Sequence, residues 1–457
     1  MINCGSRYSA TVAGTPPTTT RHGWRVSSAA PLGLLPALAL VAVNLVDGIE
    51  SSLLIGVLPL LQDEWGFSDT LAGALPTAAA MTGLLMIIPA GYLADHFERT
   101  RLLAYVVGSW ALLTVASSLA TGFWVFFLIR AVLGSANSLD NPSSSSLVTD
   151  FYPPGSRSRV FAFQRTSWTV GSSIGVAMGG VLGETFGWRV PFLVMVGPGL
   201  LVAWWCWTLA EPARGGMEPG DIGGARETAG QPEVEHHVRQ RRMHGLGSDL
   251  AALWRIPTLR AVYTGAAVAY LGFNGIAYWL PTFWEREFDL GEGKAAALTG
   301  VIGLVAAIGG SVLGGVLGDR WAARHANARV VVAGGGLMLG GVFVVAGMAS
   351  PALAVQASLL LVGAALIVSA APNFAAIIAD VLPPSSRGIG YATFTFVIVS
   401  GGALGPLAIG GVSDLIGSLQ GAFIVGLIPV APGGLIVLRA ARLHAAVDSA
   451  TRAGPVS

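Results

Sequence analysis

Apolar residues run along this chain in stretches of roughly 20, enough for a helix to cross about 30 Å of hydrocarbon. Each stretch is closed by a short polar, proline-bearing or arginine-bearing segment. Twelve are predicted between Leu32 and Arg442, at 33–61, 69–95, 101–121, 124–151, 158–184, 189–210, 257–286, 294–319, 329–348, 352–381, 387–416 and 420–443. Runs such as Leu193 to Leu209 and Val330 to Met348 carry no charge and no two-residue alternation, so they read as helices rather than barrel strands. Connections are very short with one exception. Glu211 to Arg255 is rich in Gly, Pro, Glu and Arg without apolar periodicity, which predicts a solvated linker dividing six spans from six. The expected fold is an all-α membrane protein with twelve transmembrane helices in two pseudo-symmetric six-helix bundles. Its parts are a tail at 1–31, a bundle at 32–210, a linker at 211–256, a bundle at 257–443 and a tail at 444–457.

Composition supports a bilayer as solvent: 53% of residues are apolar and only 11% charged, against about a quarter charged in soluble proteins. The net charge of +1 and the scatter of arginines among loops exclude a nucleic-acid surface. Cys4 lies in a polar tail and Cys206 inside a span, so neither a disulfide nor a metal site is expected. The adjacent His236 and His237 have no further ligands beside them and read as solvated. Arg99, Arg101, Arg157, Arg159, Arg320, Arg324, Arg329 and Arg387 fall on one side, against Arg189, Arg286 and Lys294 on the other. The positive-inside rule then places both termini in the cytoplasm, with the chain multi-pass in the plasma (inner) membrane. Residues 1–30, with Arg7, Arg21 and Arg25 and no acid, read as a retained tail rather than a signal peptide.

Three matched pieces indicate an internal duplication. Gly91-Tyr-Leu-Ala-Asp95 recurs as Gly315-Val-Leu-Gly-Asp319. Asp150-Phe-Tyr-Pro-Pro-Gly-Ser-Arg157 recurs as Asp380-Val-Leu-Pro-Pro-Ser-Ser-Arg387, the diproline ending one span and the arginine opening the next. Gly179-Gly-Val-Leu-Gly183 with Phe192 aligns with Gly410-Gly-Val-Ser-Asp414 with Phe423.

Two six-span halves, a long middle loop and the Gly-x-x-x-Asp loops at Gly91 to Arg101 and Gly315 to Arg324 resemble the major facilitator superfamily. Within it, the run Asp47 to Pro59, Phe67-Ser-Asp-Thr-Leu-Ala-Gly73, Arg130 to Gly134, Asp150 and Tyr278-Trp-Leu-Pro-Thr-Phe283 resemble the spinster-type branch. That resemblance implies a carrier of lysophospholipids or sphingoid molecules, with an acid and an arginine in span one and an arginine and a glutamate in span four. Glu50 and Arg130 stand at two of these positions, while Ser51 replaces the span-one arginine and Asn137 the span-four glutamate.

A charge at mid-membrane costs roughly 2.5 to 3.5 kcal/mol on insertion scales, so Asp47, Glu50, Arg130 and Asp140 need partners or a purpose. Counting along the helices places Glu50 about 15 Å and Arg130 about 10 Å below the outer end, so the two are expected to pair if spans one and four face each other. A proton on Glu50 would then release Arg130, with Asp47 and Asp140 as relay carboxylates; the alternative is a static pair that locks helix packing. Asn137, Gln164, Trp168, Tyr270, Asn274, Tyr278 and Asn373 are expected to line a substrate cavity, the aromatics suiting an amphipathic molecule. The second half offers no fixed charge, which disfavours a multiply charged substrate. Asp95, Arg99, Arg101, Asp319, Arg320 and Arg324 are expected to form inter-half salt bridges as a cytoplasmic gate. The glycine ladders Gly171, Gly175, Gly179 and Gly310, Gly314, Gly318 are expected to allow close helix packing.

The expected function is proton-coupled alternating-access transport of a small amphipathic, lysophospholipid-like molecule by a monomer whose other partners are protons and membrane lipids. The alternatives are a multidrug or organic-anion carrier and, in another class, a non-transporting sensor on a transporter scaffold. Neither an enzyme nor a cofactor is expected, since nucleotide loops, metal-ligand clusters and nucleophile-base spacings are missing from the sequence.

Overall fold

The computed structural model describes residues 33–214, 217, 246–325, 327–383 and 386–452. The expected tail at 1–31, the middle of the linker with His236 and His237, and the side chain of Asp95 lie outside the described residues. Span one is Leu35–Trp65, span two Asp69–His96, span three Arg99–Ser118, span four Phe123–Asn137 with Asp140–Phe151, span five Pro154–Phe186 and span six Arg189–Thr208. Span seven is Pro257–Phe288, span eight Glu292–Ala322, span nine Ala328–Met348 and span ten Leu353–Val368 with Ala370–Val381. Spans eleven, Arg387–Ile416, and twelve, Leu419–Leu427 with Val430–Arg452, complete the chain. The end at which Leu35 enters is the near end; Gly66 and Gly417, whose positive φ lets the chain reverse after spans one and eleven, mark the far end.

Among the described residues, ten of the twelve spans are long and apolar enough to cross a membrane by composition alone. Spans five and seven fall short because they carry polar faces: Gln164, Arg165 and Glu184 in one, Asn274, Glu285 and Arg286 in the other. A helix with such a face is stable in a bilayer only when that face meets protein or a water-filled cavity.

The duplication seen in the sequence is repeated in the contacts. One offset of 230 residues carries Arg99 to Arg329, Asp150 to Asp380, Tyr152 to Leu382 and Arg157 to Arg387. Arg99 pairs with Asp150, and Arg329 with Asp380 at 2.6 Å. Arg157 Nε donates to the Tyr152 carbonyl at 2.9 Å, and Arg387 Nε to that of Leu382 at 3.2 Å. Each arginine thus satisfies a carbonyl left open where a diproline stops the preceding span.

Three expected continuous spans are interrupted. The breaks at Ser138, Ser369 and Ile428 fall within a residue of the positions four before Pro142, Pro372 and Pro432. A proline has no N–H for the carbonyl four residues back, and its ring crowds that carbonyl, so the ladder opens there. The linker is also shorter than expected: Leu246–Arg255 is a helix, with Leu253 buried against the second half. Its leucines at 246, 250 and 253 have helical spacing, which the expectation of an aperiodic linker overlooked. The tail expected from 444 onward is helical as far as Arg452.

The halves meet along spans two and eleven and along spans five and eight, a symmetric pair of seams. A Cβ on Gly73 would strike the backbone of Pro406 in span eleven, so only glycine allows this approach. The ladder Gly171, Gly175, Gly179 lies on the backbone of Leu45, Ile49 and Leu53 in span one. Gly310, Gly314 and Gly318 lie on Ala365, Ser369 and Asn373 in span ten.

Candidate functional site

Span one, turned by its glycine contacts with span five, presents Glu50 to span four. The Arg130 guanidinium donates to Glu50 Oε1 at 2.6 Å, and both side chains are only 5% exposed. Thr114 of span three adds a longer bond of 3.4 Å to the same oxygen. The Phe192 ring of span six lies 5.9 Å from the guanidinium carbon, close enough for a cation–π attraction. One ion pair therefore ties spans one, three, four and six in a dry pocket, where each charge depends on the other for its stability.

One turn nearer the open end, Asp47 accepts from Ser51 Oγ at 3.2 Å, Asn137 Nδ2 at 3.2 Å and Trp168 Nε1 at 3.0 Å. Asn137 Nδ2 also reaches Ser51 Oγ at 3.3 Å. The two positions at which the spinster resemblance implies an arginine and a glutamate thus touch each other as serine and asparagine. They form a neutral pair, and both donate to Asp47. Asp140, just past the break in span four, accepts from Ser144 and is buried.

The remaining cavity expectations divide. Trp168 is 36% exposed and Tyr270, Phe273 and Asn274 are half-buried, the Asn274 amide lying against Gly402 of span eleven. Gln164 is buried, and its Nε2 has no hydrogen-bond partner among the described residues. Tyr278 and Asn373 are corrections. The Tyr278 hydroxyl donates to the Ala72 carbonyl across the seam at 3.0 Å. The Asn373 amide donates to the Gly314 and Ser369 carbonyls, both at 3.0 Å, inside the packing of spans eight and ten. Both polar groups are spent on helix contacts in this conformation.

The gate residues do not cross the halves in this conformation. Arg99 is buried, pairing with Asp150 and with Glu211 at 2.8 Å; Arg101 pairs with Glu98, and Arg329 bridges Asp319 and Asp380. Arg320 and Arg324 are exposed. A group of hydrogen bonds and ion pairs joins the halves toward the far end. Arg286 grips Asp69 through two bonds of 2.9 Å, Gln62 and Ser413 hold the same carboxylate at 2.8 and 2.7 Å, and Asp414 accepts from the Asp69 and Thr70 amides at 3.1 and 2.8 Å. Asp414 thereby caps the N-terminus of span two, where a negative charge is favoured by the helix dipole. Thr77 bonds the Ala403 carbonyl at 2.6 Å, and the Gly293 amide bonds Glu184 at 2.9 Å. A vestibule of about 560 Å³ lies above this latch. The halves are sealed at the far end and part toward the near end.

Sequence reading missed this latch and Arg165. Asp414 ends the third repeated piece and Asp69 lies in the run carrying the spinster resemblance, so both stood in recognised motifs without a role. Arg165 stands in the polar stretch of span five beside Gln164 and was masked by the loop arginines before it.

A family model of the Major Facilitator Superfamily matches residues 40–406. The chain is 27% identical over 344 residues to the gallate transporter of Pseudomonas putida, covering 71% of this chain and 72% of that one. It is 24% identical over 249 residues to protein spinster homolog 1 of Xenopus laevis, covering 54% of this chain and only 44% of that longer protein. Among solved structures, a bacterial homolog of the human lysosomal transporter Spinster, in an inward-facing and unoccupied conformation, superposes with a TM-score of 0.72. The identity there is 22%, over 90% of this chain and 95% of that one, and the likeness is one of fold.

Proposed function

This chain belongs to the major facilitator superfamily, and from that premise we propose that it moves a small amphipathic organic molecule by proton-coupled alternating access, with Glu50 and Arg130 as the coupling pair. It is a multi-pass membrane transporter. The near end faces the cytoplasm, as the loop arginines indicate, so that the conformation described above is open inward with both termini inside the plasma (inner) membrane. The six-helix bundles at 32–210 and 257–443 rock about the cavity between them.

The observation that carries the coupling reading is the sealed Glu50–Arg130 bond. Protonation of Glu50 removes one charge of the pair and leaves the guanidinium to seek another partner, which changes the contacts between spans one and four. Asp47 and Asp140 lie on the path from that pair to the open end and are the relay carboxylates. As the halves close at the near end, Arg101, Asp319, Arg320 and Arg324 regroup across the seam while the far-end latch opens.

The cargo read from the spinster relatives is a lysophospholipid-like molecule. An organic anion is the second reading, supported by the gallate transporter of Pseudomonas putida. Purified protein in liposomes, with and without a proton gradient, tests both cargo classes. Gradient-driven accumulation in the wild type that is lost in Glu50→Gln supports the reading; equal accumulation in both proteins sinks it.

A further inference from the structure

Arg165 is an exposed guanidinium on span five, about 16 Å along the helix from its start at Pro154 and one turn nearer the open end than Trp168. Its orientation follows from its neighbours. Ser172, two turns further on and therefore on the same face, bonds Ser52 of span one at 2.7 Å. Trp168, three residues on, bonds Asp47, and the Arg165 guanidinium lies 6.0 Å from its ring centre. That face is turned to span one rather than to lipid, with Tyr270 of span seven within electrostatic reach of Arg165.

Among the described residues Arg165 forms no ion pair, and the nearby Asp47 carboxylate is already held by three donors. The second half balances no anion of its own there, because residues 261–284, 295–318, 330–379 and 388–413 contain no charged residue. An exposed guanidinium at membrane depth, with its donors unspent among the described residues, is a ready fork for a carboxylate. Its surroundings are flat and aromatic: the exposed Trp168 ring on one wall, and Tyr270 against Phe273, 6.2 Å between centroids, on the other.

We propose that Arg165 anchors the carboxylate of a singly charged aromatic acid whose ring lies between Trp168 and Tyr270. The assignment rests on the second, organic-anion reading above and names its substrate class. Arg165, without an ion pair among the described residues, faces span interiors of the second half that carry no charge, so it accepts a monoanion and leaves a second negative charge unpaired. A phosphate-bearing lysolipid offers the same fork a different anion, so the test separates the two.

Purified protein in detergent is titrated with benzoate, 4-hydroxybenzoate and 3,4-dihydroxybenzoate, their uncharged amides, and lysophosphatidate, with thermal stabilisation read as binding. The expected result is that at least one acid binds the wild type tenfold or more tightly than its amide. Arg165→Gln loses that preference, and Arg165→Lys, which keeps the charge without the fork, retains part of it. Arg165→Lys also serves as the folding control. Acids that bind no better than amides, or as well in Arg165→Gln as in the wild type, overturn the proposal. So does Arg165-dependent binding of lysophosphatidate alone, which would assign the anchor to a lipid headgroup. Binding is read on the wild type and the Arg165 variants without a proton gradient, so failure of the coupling reading leaves the binding result standing.

Discussion

Asp69→Asn is expected to release the far-end latch and shift the protein toward the opposite conformation. The Asp69 carboxylate is 10% exposed and receives two guanidinium bonds from Arg286, one from Gln62 and one from Ser413. A hydrogen bond to a charged group is worth about 1.5 to 3 kcal/mol. Arg286 is 39% exposed and rehydrates when released, which discounts the pair, and asparagine keeps one acceptor for Ser413 or Gln62. A net loss of about 1 to 2 kcal/mol remains, or about a 5-fold to 30-fold shift in the ratio of the two conformers. The latch is present only where the halves touch at the far end, so its loss acts on one conformer rather than on both. Spin labels at Tyr92 and Tyr391, on the near-end portions of spans two and eleven, report the opening after Cys4 and Cys206 are replaced. The shorter near-end distance should grow in population in Asp69→Asn and in Arg286→Gln alike. An unchanged distance distribution in well-folded variants would refute the assignment of these residues as a latch.

Arg130→Ala should lower stability by about 3 to 5 kcal/mol, because it strands the buried Glu50 charge, and the double variant with Glu50→Gln should recover much of the loss; thermal unfolding in detergent checks both. Gly134→Ala places a methyl group on the Ala79 carbonyl of span two and should cost about 1 to 3 kcal/mol by the same measurement. Glu211, outside the spans, is pushed up by burial, but bonds from the Thr100 amide, Arg99 and the Thr100 hydroxyl outweigh this and hold its carboxyl below the ordinary 4.5. Its folded value being depressed, its contribution is fully present above 4.5 and is lost as pH falls through the lowered value; Glu211→Gln should flatten the pH dependence of melting below 4.5.

Much of the scaffold was legible in the chain, because a membrane span announces itself by length and apolarity alone and a duplicated half repeats its loop chemistry. The Asp150 and Asp380 loops were found as repeats, and their equivalence is physical: each acid holds the arginine that opens the third span of its own half. The encounter of Glu50 with Arg130 was reachable by counting helix rise, since both lie at similar depth. Tyr278 and Asn373 were misplaced for a reason equally physical. Helical spacing says which residues share a face, but not whether that face meets water or a neighbouring backbone, and both met backbone.

The sequence by itself determined the number of spans, their division into two related halves, and the acids and arginine that a bilayer would not tolerate unpaired. Only the tertiary structure decided which end is shut. The energy of the far-end latch comes from Asp69, Arg286, Ser413 and Asp414, which lie on three helices and as much as 345 residues apart, and no local pattern records such an encounter. Arg165 belongs to the same class of facts. Its type and depth are written in the chain, but its freedom from an ion pair depends on where the carboxylates of span one direct their hydrogen bonds.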